Sequence, residues 1–232
     1  MSARTNDLGQ PIGEPMPSWT PARATAALPW SAAGAGWSRS TRRATRRNCS
    51  PPTPPTRAAA CGPTFLTVGP FRSPEEYRAW ADRAATSEDP LFFAILDAAG
   101  RAVGVATLMR IEPAMGVIEV GNIAFSPLLQ RTPAATEAMY LMMCRAFDEL
   151  GYRRYEWKCD SLNAPSRAAA ERLGFRYEGL FRQALIYKGR NRDTAWYSIT
   201  DREWPARKAA FEAWLDPANF DAEGRQREPL SR

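Results

Sequence analysis

The elements readable along the chain run helix, three strands, helix, strand, helix, two strands, helix, and this order predicts a mixed α/β layer architecture. Three observations carry it. Apolar residues recur at helical spacing in stretches that open on a capping residue with Pro and close on Gly. Between them lie short runs rich in Val, Thr and aromatic residues, joined by connections brief enough to imply an antiparallel meander. Strand and helix do not alternate throughout, and there is no G-x-G-x-x-G or phosphate-loop motif, so a doubly wound dinucleotide fold is excluded.

The first helix opens at Ser73-Pro74-Glu75-Glu76: Ser caps, Pro takes N1 and Glu at N3 completes a capping box. Tyr77, Trp80, Ala81 and Ala84 share one face, and Pro90 closes the element. Strands follow over Leu91 to Leu96, Ala102 to Arg110 and Val117 to Phe125. Thr132 and Pro133 start a second helix whose stripe is Met139, Met142, Met143, Ala146, Phe147 and Leu150, with Gly151 at its end. Tyr152 to Cys159 reads as a strand, and Asn163 caps a short helix that stops at Gly174. Phe175 to Tyr187 and Thr194 to Thr200 read as strands joined by a polar loop, 188–193. An amphipathic helix over about Trp204 to Leu215 precedes a tail expected to be extended.

The 232 residues suit one mid-sized domain plus an appendage. The chain contains no histidine, which excludes Ser-His-Asp and Cys-His nucleophile systems and His-ligated zinc. A general base must then be a carboxylate, Tyr, Lys, Cys or a positioned water. The four cysteines form no C-x-x-C pair and read as free thiols in a reducing compartment, so no metal is expected. No apolar run approaches a membrane span and no signal pattern opens the chain, so the expected location is cytoplasmic, with no membrane association.

The net charge of +6 is unevenly placed: positions 15–74 hold eight arginines and no acidic residue, while the remainder carries 23 basic against 25 acidic side chains. That stretch is aperiodic and rich in Ala, Pro, Ser and Thr. Three readings stay open: a disordered linker or arm, an arginine arm for nucleic acid or another polyanion, or a frame-slipped stretch over about 24–68, since GC-rich codons read out of register yield this composition. The expected organisation is an extended leader over 1–21, this segment over 22–69, the folded domain over 70–215 and a tail over 216–232. The slightly acidic body argues against nucleic acid as a partner.

Two strand-to-helix junctions carry the chemistry. The first runs Ile118-Glu119-Val120-Gly121-Asn122-Ile123-Ala124-Phe125, then Ser126 to Leu129, then Gln130-Arg131-Thr132-Pro133-Ala134-Ala135-Thr136-Glu137-Ala138. A helix start of small residues leaves amides open to a phosphate or pyrophosphate, with Arg131 beside them. The second, Cys159-Asp160-Ser161-Leu162-Asn163-Ala164-Pro165-Ser166, ends a neighbouring strand and leads to Leu173-Gly174-Phe175.

Together, the strand plus A-T-E-A helix and the N-A-P-S…R-L-G-F…E-G series resemble the GNAT N-acetyltransferases over roughly Pro70 to Thr200. The branch most resembled is that of the ribosomal-protein N-terminal acetyltransferases, and Trp157-Lys158-Cys159-Asp160 with the 189–196 stretch looks like an uncharacterised subgroup of it. The resemblance implies the GNAT fold, a mixed and mostly antiparallel sheet with helices on both faces, and acetyl-CoA as co-substrate in a gap between two splayed strands. Backbone groups of Ile123, Ala124 and Phe125 would hold the pantetheine arm. Gln130, Arg131, Thr132, Pro133, Ala134 and Ala135 would meet the pyrophosphate, and Asn163 and Ser166 would contact the arm near sulfur. Glu119 matches a strand glutamate that serves as base, commonly through water. Trp157, Tyr187, Arg190 and Asp193 are candidates for the acceptor site.

The implied reaction is direct attack of a primary amine, on a protein N-terminus or a small molecule, on the thioester. It requires orientation, proton removal and oxyanion stabilisation. The chain departs from the pattern in Arg131 and Pro133, where glycines are usual, and in Ala170, where many relatives carry an acid Tyr. Ser166 or water would then protonate the leaving thiolate. The family's first strand and helix would precede Ser73, in the acid-free stretch, and are expected to be missing or replaced. A monomer or homodimer is expected. The second reading is a GNAT-fold protein that binds CoA or a partner without catalysis.

Overall fold

The computed structural model describes residues 4–5, 11–12, 14–23, 71–97 and 99–230. The expectations of disorder, a polyanion-binding arm or a slipped frame in the acid-free stretch, and of a missing first strand and helix, fall almost wholly outside these residues.

Two short antiparallel strands, β1 (Arg4–Thr5) and β2 (Pro11–Ile12), and an ordered run over 14–23 precede the main domain. Residues of the run over 14–23 are bonded to the domain. Ala22 N–H donates to the Pro113 carbonyl and Arg23 N–H to that of Leu150, and the Trp19 indole donates to the Ala114 carbonyl at 3.1 Å. Gly116, at φ +64°, lies under the Trp19 ring where a Cβ would collide with it.

Helix α1 (Pro74–Thr86) starts as read: Ser73 Oγ accepts from Glu76 N–H. The Glu76 carboxylate accepts from the Arg72 amide, one residue earlier than a regular capping box would have it. Strands β3 (Leu91–Leu96), β4 (Ala102–Glu112) and β5 (Val117–Phe125) form the expected antiparallel meander. Helix α2 (Pro133–Cys144), capped by Thr132, runs into a π-helical turn over Arg145–Glu149 that ends before Gly151. Strand β6 (Arg154–Asp160) and helix α3 (Ala164–Arg172), capped by Asn163, come next. Strands β7 (Arg176–Tyr187) and β8 (Arg190–Thr200) and helix α4 (Trp204–Leu215) complete the order.

The six-stranded sheet runs β3-β4-β5-β6-β8-β7 and is antiparallel except for β5 against β6. Alternation along the strands sorts side chains by face. Ile118, Val120, Tyr155, Trp157, Tyr197 and Ile199 are buried in one core with the Met139, Met142 and Met143 stripe of α2 and with Trp204 and Phe211 of α4. The opposite face takes Glu119, Glu156, Lys158, Trp196 and Ser198.

Two expectations are corrected. The polar stretch 188–193 is not a loop: only Lys188-Gly189 turns, both at positive φ, Arg190 to Arg192 pair with β7, and Asp193 belongs to β8 at a register shift. Polar composition misled because this end of the hairpin is exposed on both faces. The tail is not extended either. Pro217–Asn219 makes a 3₁₀ turn, Phe220 bridges to Gln226, and Leu230 is buried in the core.

Candidate active site

The feature that organises the site is a short parallel ladder. β5 pairs with β6 only over Val117 to Val120 against Arg154 to Trp157, and beyond those residues the two strands part. The far half of β5, Gly121 to Phe125, remains paired to β4 on its other edge. Asn122 there takes φ 48° beside a register shift opposite Val105 to Thr107. Its Nδ2 donates to Thr107 Oγ1 at 3.3 Å. Ile123, Ala124 and Phe125 thus lie where β5 is unpaired on its β6 side.

The helix that follows leaves few amides open at its start. Arg131 adopts φ 60°, a left-handed conformation, and is exposed. Thr132 Oγ1 accepts from Ala135 N–H at 3.3 Å, the Gln130 and Thr132 amides bond back to Ser126 and Leu129 carbonyls, and Pro133 has no N–H. Gln130 also donates through its side chain to the Phe125 carbonyl at 2.7 Å, which fixes the loop between strand and helix. Of the amides assigned to a pyrophosphate, those of Arg131 and Ala134 are not drawn into this turn, and the helix dipole points the same way.

Across the gap, Asn163 is held as a helix cap, its Oδ1 accepting from Ser166 N–H. Ser166 Oγ accepts from Trp157 Nε1 at 3.0 Å. Its hydrogen bond to Cys159 opposes burial, which raises that thiol. Trp157 is 5% exposed and edge-on to Phe175, a core position beneath α3.

Glu119 is buried, at 4% exposure, with Arg110 Nε 3.3 Å and Lys158 Nζ 2.9 Å from its Oε2. The Lys158 contact is an ion pair by distance and is not aligned as a directed hydrogen bond, since this oxygen has none. Burial pushes the carboxyl above its ordinary range, Lys158 and then Arg110 pull it back, and Glu156 pushes it up again.

The remaining acceptor candidates fall into different settings. Tyr187 donates to Asp160 Oδ2 at 2.8 Å, where β7 passes the end of β6, and burial followed by this bond raises its phenol. Asp193 accepts from Gln183 N–H at 2.7 Å, holding a residue at φ 51° in an irregular stretch of β7. Arg190 is exposed at the hairpin end, away from the buried carboxylate. Ala170 is fully buried, so the position of the absent acid Tyr is filled by packing.

Four functional candidates were missed by sequence reasoning: Arg110, Glu156, Lys158 and Trp196 in its role over Lys158. The signal existed in Arg154-x-Glu156-x-Lys158, charges alternating at the period that puts them on one face of a strand. No group of His, Cys, Asp or Glu suited to a metal is found among the described residues. No helix among them is long and apolar enough to cross a membrane.

A family model described as an acetyltransferase (GNAT) domain matches residues 54–176. The chain is similar to the crystal structure of a GCN5-related N-acetyltransferase from Brucella melitensis, with 45% identity and a TM-score of 0.83 over 93% of this chain and 97% of that one. A Chromobacterium violaceum structure described as a GNAT-family acetyltransferase shares 43% identity at a TM-score of 0.56, over 61% of this chain and 75% of its own. Among curated proteins, YdaF of Bacillus subtilis, provisionally named a ribosomal N-acetyltransferase, is 37% identical over 73 residues, 32% of this chain. The match spans 40% of the length of YdaF, and a second one, to the uncharacterised N-acetyltransferase YnaD, spans 50%.

Proposed function

The chain belongs to the GNAT acetyltransferase family, and from that premise we propose an acetyl-CoA-dependent N-acetyltransferase acting on a primary amine, either a protein N-terminus or a small molecule. The observation that carries the reading is the parting of β5 from β6 immediately beside a buried carboxylate, Glu119. Acetyl-CoA supplies the thioester. The free edge of Ile123 to Phe125 would orient the arm, and Arg131 with the start of α2 would meet the pyrophosphate. Glu119 would remove the proton from the acceptor ammonium, directly or through water. The amine then attacks the thioester carbonyl, the C–S bond breaks, and Ser166 or water returns a proton to the thiolate. The name of YdaF adds ribosomal proteins to the acceptors to screen.

The buried Ala170 favours a second reading, a GNAT fold that binds CoA without turnover. Two measurements separate them. Calorimetry with acetyl-CoA should give a dissociation constant in the micromolar range, about −8 kcal/mol. Acetyl transfer to short peptides with a free α-amino group and to small primary amines should fall by about a hundredfold or more in Glu119→Gln, with acetyl-CoA affinity kept. A folded protein that binds acetyl-CoA but acetylates none of these amines supports the second reading. Glu119→Gln turning over like wild type removes Glu119 as base.

A further inference from the structure

Glu119 is one member of a charged array built by strand register. Glu156 stands directly opposite it across the parallel pairing, and Lys158 stands opposite Trp196 of β8. The Lys158 ammonium lies 2.9 Å from Glu119 Oε2, 2.6 Å from Glu156 Oε2 and 3.8 Å from the centre of the Trp196 ring. Its side chain is only 6% exposed. Two carboxylates and one aromatic face therefore define where this cation sits. Arg154 closes the far end, meeting Glu156 Oε1 at 2.6 Å and pairing with Glu178. Arg110 reaches Glu119 from β4 but is half exposed. Both cations meet the same oxygen of Glu119, Oε2, and neither ion pair uses Oε1.

We infer that Lys158 is the positioning residue of the base: clamped between Glu156 and Trp196, it holds Glu119 by Oε2 and leaves Oε1 to take the acceptor's proton. This rests on the reading of Glu119 as base. Two facing buried carboxylates repel, and a cation placed between them offsets that repulsion. Arg110 alone is a weaker support, because solvent screens its exposed guanidinium. Glu156 acts in two opposed ways. It anchors Lys158, and its own charge disfavours ionisation of Glu119.

The test is a carboxyl titration of the full apo chain labelled with ¹³C-glutamate, with the Glu119 signal assigned by its loss in Glu119→Gln. Lys158→Met should raise the Glu119 midpoint by about one unit or more, the size of effect an adjacent opposite charge exerts. Lys158→Arg should stay near wild type. The acid limb of kcat/KM with an acceptor amine from the screen should move in the same directions, since that limb reports the base in the free enzyme. Lys158→Met would then lose up to about tenfold at pH values below the midpoint and regain it at higher pH.

An unmoved midpoint in Lys158→Met overturns the inference. If that variant does not fold, Lys158→Gln decides, and an unmoved midpoint there overturns it. Midpoints that move as described, together with Glu119→Gln turning over like wild type, locate the failure in the base assignment and reduce the array to a structural one.

Discussion

The indole N–H of Trp157 donates to the hydroxyl of Ser166 at 3.0 Å, tying the last residue of β6 that pairs with β5 to the first turn of α3. One bond thus joins a core aromatic to the group proposed to protonate the leaving thiolate. Ser166→Ala should cost about 1–3 kcal/mol, because a buried donor loses its acceptor. Trp157→Phe removes the donor and keeps the hydroxyl. If Ser166 is the acid, Ser166→Ala loses turnover and Trp157→Phe keeps it near wild type. Equal losses in both would mean that Ser166 serves only to support the fold. Steady-state kinetics with thermal melts on the two variants would measure this.

Stability should fall in acid through Glu178. The Arg154 guanidinium, followed by the Ser198 hydroxyl, holds this carboxyl at about 2, well below its ordinary value of 4.5. A carboxyl depressed on folding contributes stability above its unfolded value and loses it as pH falls through the folded one. The window is therefore about pH 5 down to pH 2. Its amplitude is reduced by solvent, since the side chain is 37% exposed. Chemical denaturation of wild type and Glu178→Gln from pH 7 to pH 3 should show curves that converge toward acid. Parallel curves would contradict the linkage.

The tail is predicted to be part of the folded unit. Leu230 is 8% exposed, and Trp214 Nε1 donates to Gln226 Oε1 at 3.0 Å. Leu230→Ala should cost about 2 kcal/mol, the low end for a core truncation at a site near the surface. A change within about 0.5 kcal/mol, as for ordinary surface positions, would show the tail to be loosely held.

The leader gives a separable prediction. Gly116→Ala forces a Cβ into the Trp19 ring at a backbone conformation that disfavours any side chain. The Ala114–Trp19 bond and the Arg153 contact with the same ring, 5.9 Å from its centroid, would be lost together. Limited proteolysis should then cleave within 14–23 much faster than in wild type. Equal cleavage rates would mean the docking contributes little.

Much of this fold was legible because its signals are local. Ser73, Thr132 and Asn163 each cap the helix they were read to cap, and Leu91–Leu96, Val117–Phe125 and Trp204–Leu215 have the bounds that periodicity implies. What was not legible depends on register. Nothing local tells that Arg190 to Arg192 pair with β7, or that Leu230 returns to the core. The candidate site divides in the same way. Glu119 was found through a motif, whereas Lys158 and Trp196 gain meaning only when β6 and β8 are laid side by side.

The four-residue ladder between β5 and β6 has a mechanical consequence. Among the described residues it is the sole strand pairing between two three-stranded antiparallel blocks, β3-β4-β5 and β6-β8-β7. A twist of one block against the other about this seam would widen or narrow the cleft without breaking any antiparallel ladder. The Lys158–Glu119 ion pair crosses the same line, so the contact proposed to hold the base also acts as a latch on the hinge. Amide exchange at Val117 to Val120 and Arg154 to Trp157 would report its opening.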